Sequence, residues 1–355
     1  MNLPAPHVNR LKPLTIRRIV QAGFVVFFIL VGVQFHRFVV SLSAEQAADV
    51  AARPPAAEAF LPISSLMSLA CLLKGGGANH VRPAGLVIFS LTLLLSLILR
   101  RGFCSWACPI GAISEYAHAL GRSVLGRNFA LPLWLDVPVR GVKYLLLAFF
   151  LFIILAMPAK DLAGFIHDPY NRIVDVKMYA FFASPSGVTI FVLAVLLALS
   201  VLVKNFWCRY LCPYGALAGL VSLLSPAVIR RNASACTSCG RCTRACPNRL
   251  PVAAKGRIRS AECTACYTCV SACPTRGALA MTLGTARRRL LLPAFLYGLL
   301  TVGVFLLVSQ SARALNYWQS DTTPEQYQRL NAHIDEITHP TGPSPRRHPN
   351  HTADE

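Results

Sequence analysis

The stretch Cys236-Thr237-Ser238-Cys239-Gly240-Arg241-Cys242-Thr243-Arg244-Ala245-Cys246-Pro247 returns in pattern as Cys263-Thr264-Ala265-Cys266-Tyr267-Thr268-Cys269-Val270-Ser271-Ala272-Cys273-Pro274. Each copy reads C-x2-C-x2-C-x3-C-P. One tight loop cannot surround a cube of iron and sulfur, so in this spacing three ligands come from one run and the fourth crosses from the other. Cluster one is expected on Cys236, Cys239, Cys242 and Cys273, and cluster two on Cys263, Cys266, Cys269 and Cys246. Pro247 and Pro274 turn the chain after each crossing ligand. Zinc knuckles are the competing reading, but they pair two C-x2-C units and lack the C-x3-C-P tail.

The segment Arg230 to Arg289 around these motifs holds twelve Lys/Arg and a single acid, Glu262. A cluster held by four thiolates is net negative, so a basic shell is expected to favour its reduced form and raise its potential. Arg241, Arg244 and Arg249 also suit an acidic redox partner or anionic lipid.

Outward from the motifs, the 355-residue chain is 54% hydrophobic and only 14% charged, too apolar for a soluble protein. Five segments are apolar and charge-free over about a bilayer's thickness, roughly 30 Å. They run Ile19 to Phe35, Pro83 to Leu99, Tyr144 to Met157, Met178 to Val203 and Leu290 to Ala312. A sixth, Ala59 to Leu73, contains Pro62 and leads into Lys74-Gly75-Gly76-Gly77, and is read as re-entrant or interfacial. Arg17 and Arg18 ahead of the first segment suit a signal peptide, but His36-Arg37 stands where a small-residue cleavage site belongs, so the segment is read as a retained span.

With the N-terminus inside, 24 of the 35 Lys/Arg fall on its side of the membrane, against Glu115, Asp136 and Glu262. The positive-inside rule makes residues 1–18 and 230–289 cytoplasmic and the tail, 313–355, periplasmic. The net charge of +20 is thus explained by topology and lipid headgroups, with no nucleic acid required. The thirteen cysteines are too clustered for a disulfide scaffold.

A second cysteine pattern is duplicated 104 residues apart. Phe103-Cys104-Ser105-Trp106-Ala107-Cys108-Pro109-Ile110-Gly111-Ala112 pairs with Trp207-Cys208-Arg209-Tyr210-Leu211-Cys212-Pro213-Tyr214-Gly215-Ala216. Such repeats commonly pack about a pseudo-two-fold axis, which would gather all four cysteines at the membrane edge. Proline after the second cysteine biases it out of the helical region, so each motif predicts a helix break with a new helix starting at Pro109 or Pro213. Four readings of Cys104, Cys108, Cys208 and Cys212 stand open: buried packing, a third metal centre of the iron-sulfur kind, a dithiol couple, and a copper site. Cys71, isolated toward the opposite face, is read as packing.

Histidine offers no haem pattern, since no C-x2-C-H occurs. The outer stretch Phe165 to Asp175 mixes aromatic, acidic and basic groups that suit a quinol, and is read as an ordinary polar loop. Ser186-Gly187-Val188-Thr189 only partly resembles a covalent-flavin pattern, and no flavin is expected there. In the tail, Thr323 is a helix N-cap and Pro324 the first helical residue, with Tyr327, Leu330, Ile334 and Ile337 on one face that packs onto the membrane domain. Disorder is expected after about residue 339.

Phe103-Cys104-Ser105-Trp106-Ala107-Cys108-Pro109, the run Asn205 to Ala216, and both four-cysteine motifs of the 230–289 segment resemble the polytopic membrane 4Fe-4S ferredoxin family. That family includes the NapH-type quinol dehydrogenase subunit, the membrane domain of the nitrous oxide reductase regulator and the cytochrome oxidase accessory ferredoxins. The likeness covers about residues 60–282. The chain adds a fifth span and an outer tail to the short NapH-type pattern, which leaves its terminal partner open. The expected fold is a membrane all-α polytopic helical bundle of about five transmembrane helices (19–229 and 290–312) with an internal repeat. Inserted in it is a small α+β bacterial-type 2[4Fe-4S] ferredoxin domain at 230–289. The resemblance implies an electron-transfer subunit of a bacterial inner membrane, quinol dehydrogenase-like rather than a self-contained enzyme. It would move electrons between the quinone pool and a partner redox protein through two [4Fe-4S] clusters. Metalloenzyme maturation by copper reduction or delivery, and a redox-sensing regulatory scaffold, are the other readings.

Overall fold

The computed structural model describes residues 12–44, 46–78, 80–126, 129, 131–284 and 290–340. The stretch expected to be disordered lies, from residue 341 on, outside the described residues. Among the described residues three helices are long and apolar enough to cross a bilayer: α1 (Pro13–Ser41), α6 (Leu133–Ala156) and α13 (Ala294–Ala314). Their outward side chains, among them Leu30, Leu145, Phe152 and Leu307, are exposed and apolar, as lipid contact requires. A fourth helix, α3 (Pro83–Leu99), has the bounds read from sequence. Its 17 residues make a rod of about 26 Å, and buried Ala84, Ile88, Leu91, Leu95 and Leu99 mark it as the inner helix of the bundle.

The segment Met178 to Val203, expected as one span, is broken. Helix α8 (Pro169–Ala183) meets α9 (Gly187–Leu202) at 79°. Pro185 has no N–H to give and pushes Ser184 out of the helical region, to φ −129° and ψ 64°. Ser186 then restarts the helix by accepting the N–H of Thr189 at 3.2 Å, so the Ser186-Gly187-Val188-Thr189 sequence is an N-cap. The sixth apolar stretch forms α2 (Pro62–Leu73), whose 12 residues reach about 18 Å and fall short of a span.

Inserted between α10 (Pro213–Val221) and α13 is the ferredoxin-like part. Its antiparallel sheet has the order β2-β1-β3-β4, built from β1 (Val228–Arg231), β2 (Arg257–Ile258), β3 (Leu279–Leu283) and β4 (Leu290–Leu291). Two one-turn helices, α11 (Arg241–Ala245) and α12 (Thr268–Ser271), carry Cys242 and Cys269. The sheet therefore reaches two residues beyond 230–289 at each end. One apolar cluster joins Ile16, Leu91, Leu95, Leu99, Trp106 and Tyr297 of the bundle to Ile229, Val252, Ile258, Tyr267 and Met281 of the insert. The insert is thus docked on the bundle by a shared core.

At the opposite end of the bundle, the stretch expected as an outer loop is helical instead. Helix α7 (Ala159–His167) and α8 replace it, with Asp168 capping α8 through the N–H of Tyr170. Asp175 is fully buried and accepts from Arg53 at 2.7 Å and Arg82 at 3.2 Å, while Arg53 also donates to Glu58 at 2.8 Å. A carboxylate so paired is a structural anchor, because removing one partner from a buried ion pair strands the other charge. Tail helix α14 (Pro324–Ala332) folds onto this end, as expected. Thr323 and Gln326 form a reciprocal capping box, and the buried Tyr327 ring meets Phe38 edge-on at 5.1 Å. Leu330, Ile334 and Ile337 pack on the same cluster, the last two from beyond the helix end. Tyr327→Ala should remove about 3–5 kcal/mol of tail docking, read as faster tryptic cleavage at Arg329 in detergent-solubilised protein.

Candidate iron-sulfur and membrane-edge cysteine sites

Cys246 lies beside the second cysteine run rather than its own. Cys246 lines one internal pocket with Cys263, Cys266 and Cys269, inside a shell of Ile229, Leu250, Val252, Ile258 and Tyr267. Burial pushes the Cys246 thiol up to about 11, and the charges of Cys266 and Cys263 add to the shift. Burial and then Cys266, Cys263 and Cys246 likewise raise Cys269. Cys263 and Cys269 are buried and Cys246 and Cys266 half-buried, and a cation among them would favour their thiolate forms. This donor set in an apolar shell fits a [4Fe-4S] cluster.

The cluster-one cysteines sit differently. Cys242 is buried, Cys236 and Cys273 are half-buried and Cys239 is exposed. A hydrogen bond from Arg231 holds the Cys236 thiol below its ordinary range, and the backbone N–H of Arg241 does the same for Cys239. Thiolates stabilised by cationic and N–H donors suit a net-negative cluster. Cys71 is buried among Met67, Ala70 and Leu162, in keeping with a packing role.

Both copies of the C-x3-C-P motif are helix breaks, and their residues hold the insert. The first copy forms α4 (Phe103–Trp106) and α5 (Pro109–Leu125), with Cys108 extended between them at φ −71°, ψ 122°. In the second, a π-helical turn over Trp207–Leu211 leads to an extended Cys212 and then α10. Cys212 Sγ accepts the N–H of Gly215 at 3.2 Å, taking one of the free donors at that helix start. Glycine is required at Gly111, where an added Cβ would lie 2.1 Å from the Cys104 carbonyl oxygen.

From the first copy, Ser105 Oγ donates to the Thr264 carbonyl at 2.6 Å and Trp106 Nε1 to that of Ala265 at 3.0 Å. Trp106 also packs on Tyr267 and Tyr297, with ring centroids 5.9 and 4.8 Å away. From the second copy, Arg209 donates to the Pro247 carbonyl at 3.2 Å and to buried Asp136 at 2.7 Å. The two repeats thus grip the two chain segments that carry the cluster-two cysteines.

Charges seal this contact. Glu262 accepts from Lys143 Nζ at 2.6 and 2.7 Å and from the Tyr144 hydroxyl at 2.8 Å, with Arg101 3.7 Å away. Burial opposes its ionisation, but Lys143 and Arg101 outweigh that and hold the carboxyl below its usual range. Counting charges along the sequence assigns Arg100, Arg101, Lys143 and Arg209 to topology. All four are in fact buried at the docking contact. The lone acid of the insert was the available signal, since an isolated carboxylate in a basic segment needs a partner.

Glu262→Gln leaves Lys143 buried without its counter-charge, and should weaken docking by about 3–5 kcal/mol. Hydrogen exchange at residues 260–266 should quicken accordingly. Replacing Lys143 and Glu262 together by methionine should restore most of the protection.

Residues 81–128 and 185–232 each match the family described as "4Fe-4S binding domain", and 228–274 match "4Fe-4S dicluster domain". "Putative electron transport protein YccM" of Escherichia coli K12 is 40% identical over 319 residues, 89% of each chain. "Ferredoxin-type protein NapH" of the same organism is 29% identical over 178 residues, 50% of this chain and 56% of NapH. "Protein NirI" of Paracoccus denitrificans is 32% identical over 178 residues, 49% of this chain and 24% of its own. No solved structure matches the chain. With the C-x3-C-P repeats built as helix breaks and the dicluster motif docked on them, the chain belongs to the NapH-type family of polytopic membrane 4Fe-4S ferredoxins.

Proposed function

We propose that this ferredoxin-type electron transport protein passes electrons between the quinone pool and a partner redox protein. In this reading Cys236, Cys239, Cys242 and Cys273 hold cluster one, and Cys263, Cys266, Cys269 and Cys246 hold cluster two. Bound [4Fe-4S] clusters supply one-electron chemistry. The observation that carries the reading is the asymmetry of the two cysteine sets. The Cys263–Cys266 loop is pressed onto the membrane edge by Ser105 and Trp106, whereas Cys239 is open to solvent.

A cleft of about 410 Å³ beside Cys246 and Pro247 supports the quinone side, because it is of the size that takes a small-molecule head group. Tyr116, His118 and Phe129 line it together with Gln21. Gln21 is 2% exposed and its Nε2 donates toward Glu115, and the second N–H of that amide is the donor we assign to a quinone carbonyl. On the other side, Arg241 and Arg244 flank exposed Cys239, and Arg244 donates to its carbonyl at 3.1 Å. The only carboxylate of residues 230–289, Glu262, is buried, so the partner that fits this rim is acidic. The same reading puts the N-terminus and the insert in the cytoplasm of a bacterial inner membrane and α14 in the periplasm. The 24 basic residues assigned to that inner side support it.

In anaerobic proteoliposomes, quinol should bleach the cluster absorbance of the native chain and fail to do so in Cys246→Ser. Gln21→Leu should raise the quinol concentration for half-maximal bleaching roughly five- to tenfold. Clusters that dithionite reduces but quinol leaves oxidised would end the quinone reading. Potentiometric titration should place both clusters above acidic ferredoxins, since the 230–289 segment that carries their cysteines holds twelve Lys/Arg and one acid.

A further inference from the structure

We propose that Cys104, Cys108, Cys208 and Cys212 form one iron-sulfur site shared by the two repeats, with Arg101 as its buried counter-cation and cluster two as its neighbour. The family match describes two separate copies of a 4Fe-4S binding domain. Each copy brings only two cysteines, and four thiolates are the ligand set of both [2Fe-2S] and [4Fe-4S] clusters. In space the two half-sets meet. Cys104 and Cys208 line one pocket, and a Cβ at Gly111 would lie 2.1 Å from the Cys104 carbonyl oxygen and 3.8 Å from Cys108 Cβ.

Arg101 ties the halves together. Its Nε donates to Cys104 Sγ at 3.4 Å, and its Nη2 donates to the Cys208 carbonyl at 3.2 Å. At Gly215 a Cβ would lie 2.7 Å from the same Nη2 and 3.5 Å from Cys212 Sγ, so glycine admits the guanidinium beside the second motif. This arginine is 3% exposed, and the one carboxylate near it, Glu262, is held more closely by Lys143. One positive charge is therefore left buried against four thiols. Isolated buried cations are costly, and a net-negative tetrathiolate cluster is the compensation the site offers.

Arg100 provides an internal parallel. It too is fully buried, it donates to the carbonyls of Ala227 and Ser260, and it acts on Cys263 of the cluster-two set. Consecutive arginines thus serve two adjacent thiol sites. Cys104 and Cys208 share a pocket with Cys266, and Ser105, next to Cys104, hydrogen-bonds Thr264, next to Cys263. A single electron can pass between the two sites, one being oxidised as the other is reduced, with no bond made or proton moved.

The inference rests on the iron-sulfur part of the proposed function and is independent of quinone. The test is iron and acid-labile sulfide analysis, with EPR, on the full chain purified anaerobically. Two cubanes account for about eight irons per chain; the native chain should hold about twelve, or about ten if the shared site is [2Fe-2S]. Cys104→Ser and Cys208→Ser should each reduce this to about eight and remove one EPR signal. The double variant should lose no more, because half-sites of one centre fail together. Cys71→Ser should keep the full content, which controls for folding. Eight irons in the native chain, additive losses in the double variant, or stoichiometric copper or zinc lost with these cysteines would each overturn the proposal. Loss of quinol bleaching with iron content intact would fault the quinone reading alone.

Discussion

Arg100 and Arg101 are neighbours in sequence that part company in space, and the architecture turns on where they go. Arg100 ends α3 at φ 61° and ψ −175°, a conformation that costs a non-glycine residue about 1–3 kcal/mol. The turn sends one guanidinium to the carbonyls of Ala227 and Ser260 and the other to Cys104, Cys208 and Ala261. Both side chains lie within a contact that joins lipid-embedded helices to a polar, cysteine-rich insert. Their charges hold the two parts in one register, and the aromatic packing of Trp106, Tyr267 and Tyr297 excludes water around them.

This contact explains why the same short motif occurs twice. Each copy ends a helix, leaves an extended cysteine and starts a new helix at proline, which frees backbone and side-chain donors at one level of the bundle. Ser105 and Trp106 use that freedom on the Thr264–Ala265 turn, and Arg209 uses it on Pro247. A duplicated membrane scaffold thereby presents two jaws to an insert whose own two motifs are duplicated. The jaws close on Cys263–Cys269 and Cys246 and leave the Cys236–Cys239 loop free.

Much of this was legible in the sequence because covalent spacing and proline stereochemistry act locally. The helix breaks at Cys108 and Cys212, the bounds of α3 and the Thr323 cap all follow from residues within a few positions of one another. Less legible was whatever depends on residues far apart in the chain. The Met178–Val203 stretch reads as one span by hydropathy, and only the Ser184-Pro185-Ser186 geometry shows that it turns through 79°. Phe165 to Asp175 reads as a polar loop because its charges find partners, Arg53 and Arg82, roughly a hundred residues earlier. Lys143 and Glu262, likewise, are 119 positions apart.

The way the insert is joined to the bundle limits how it can work. Past α10 and one 3-10 turn, Ser225 is bound to the backbone of both Ile98 and Arg100, and only Leu292 and Pro293 separate β4 from α13. Among the described residues, neither attachment carries a free linker. Such short, bonded attachments suit a fixed relay, in which the insert keeps its place on the bundle and travelling falls to the molecules that visit it.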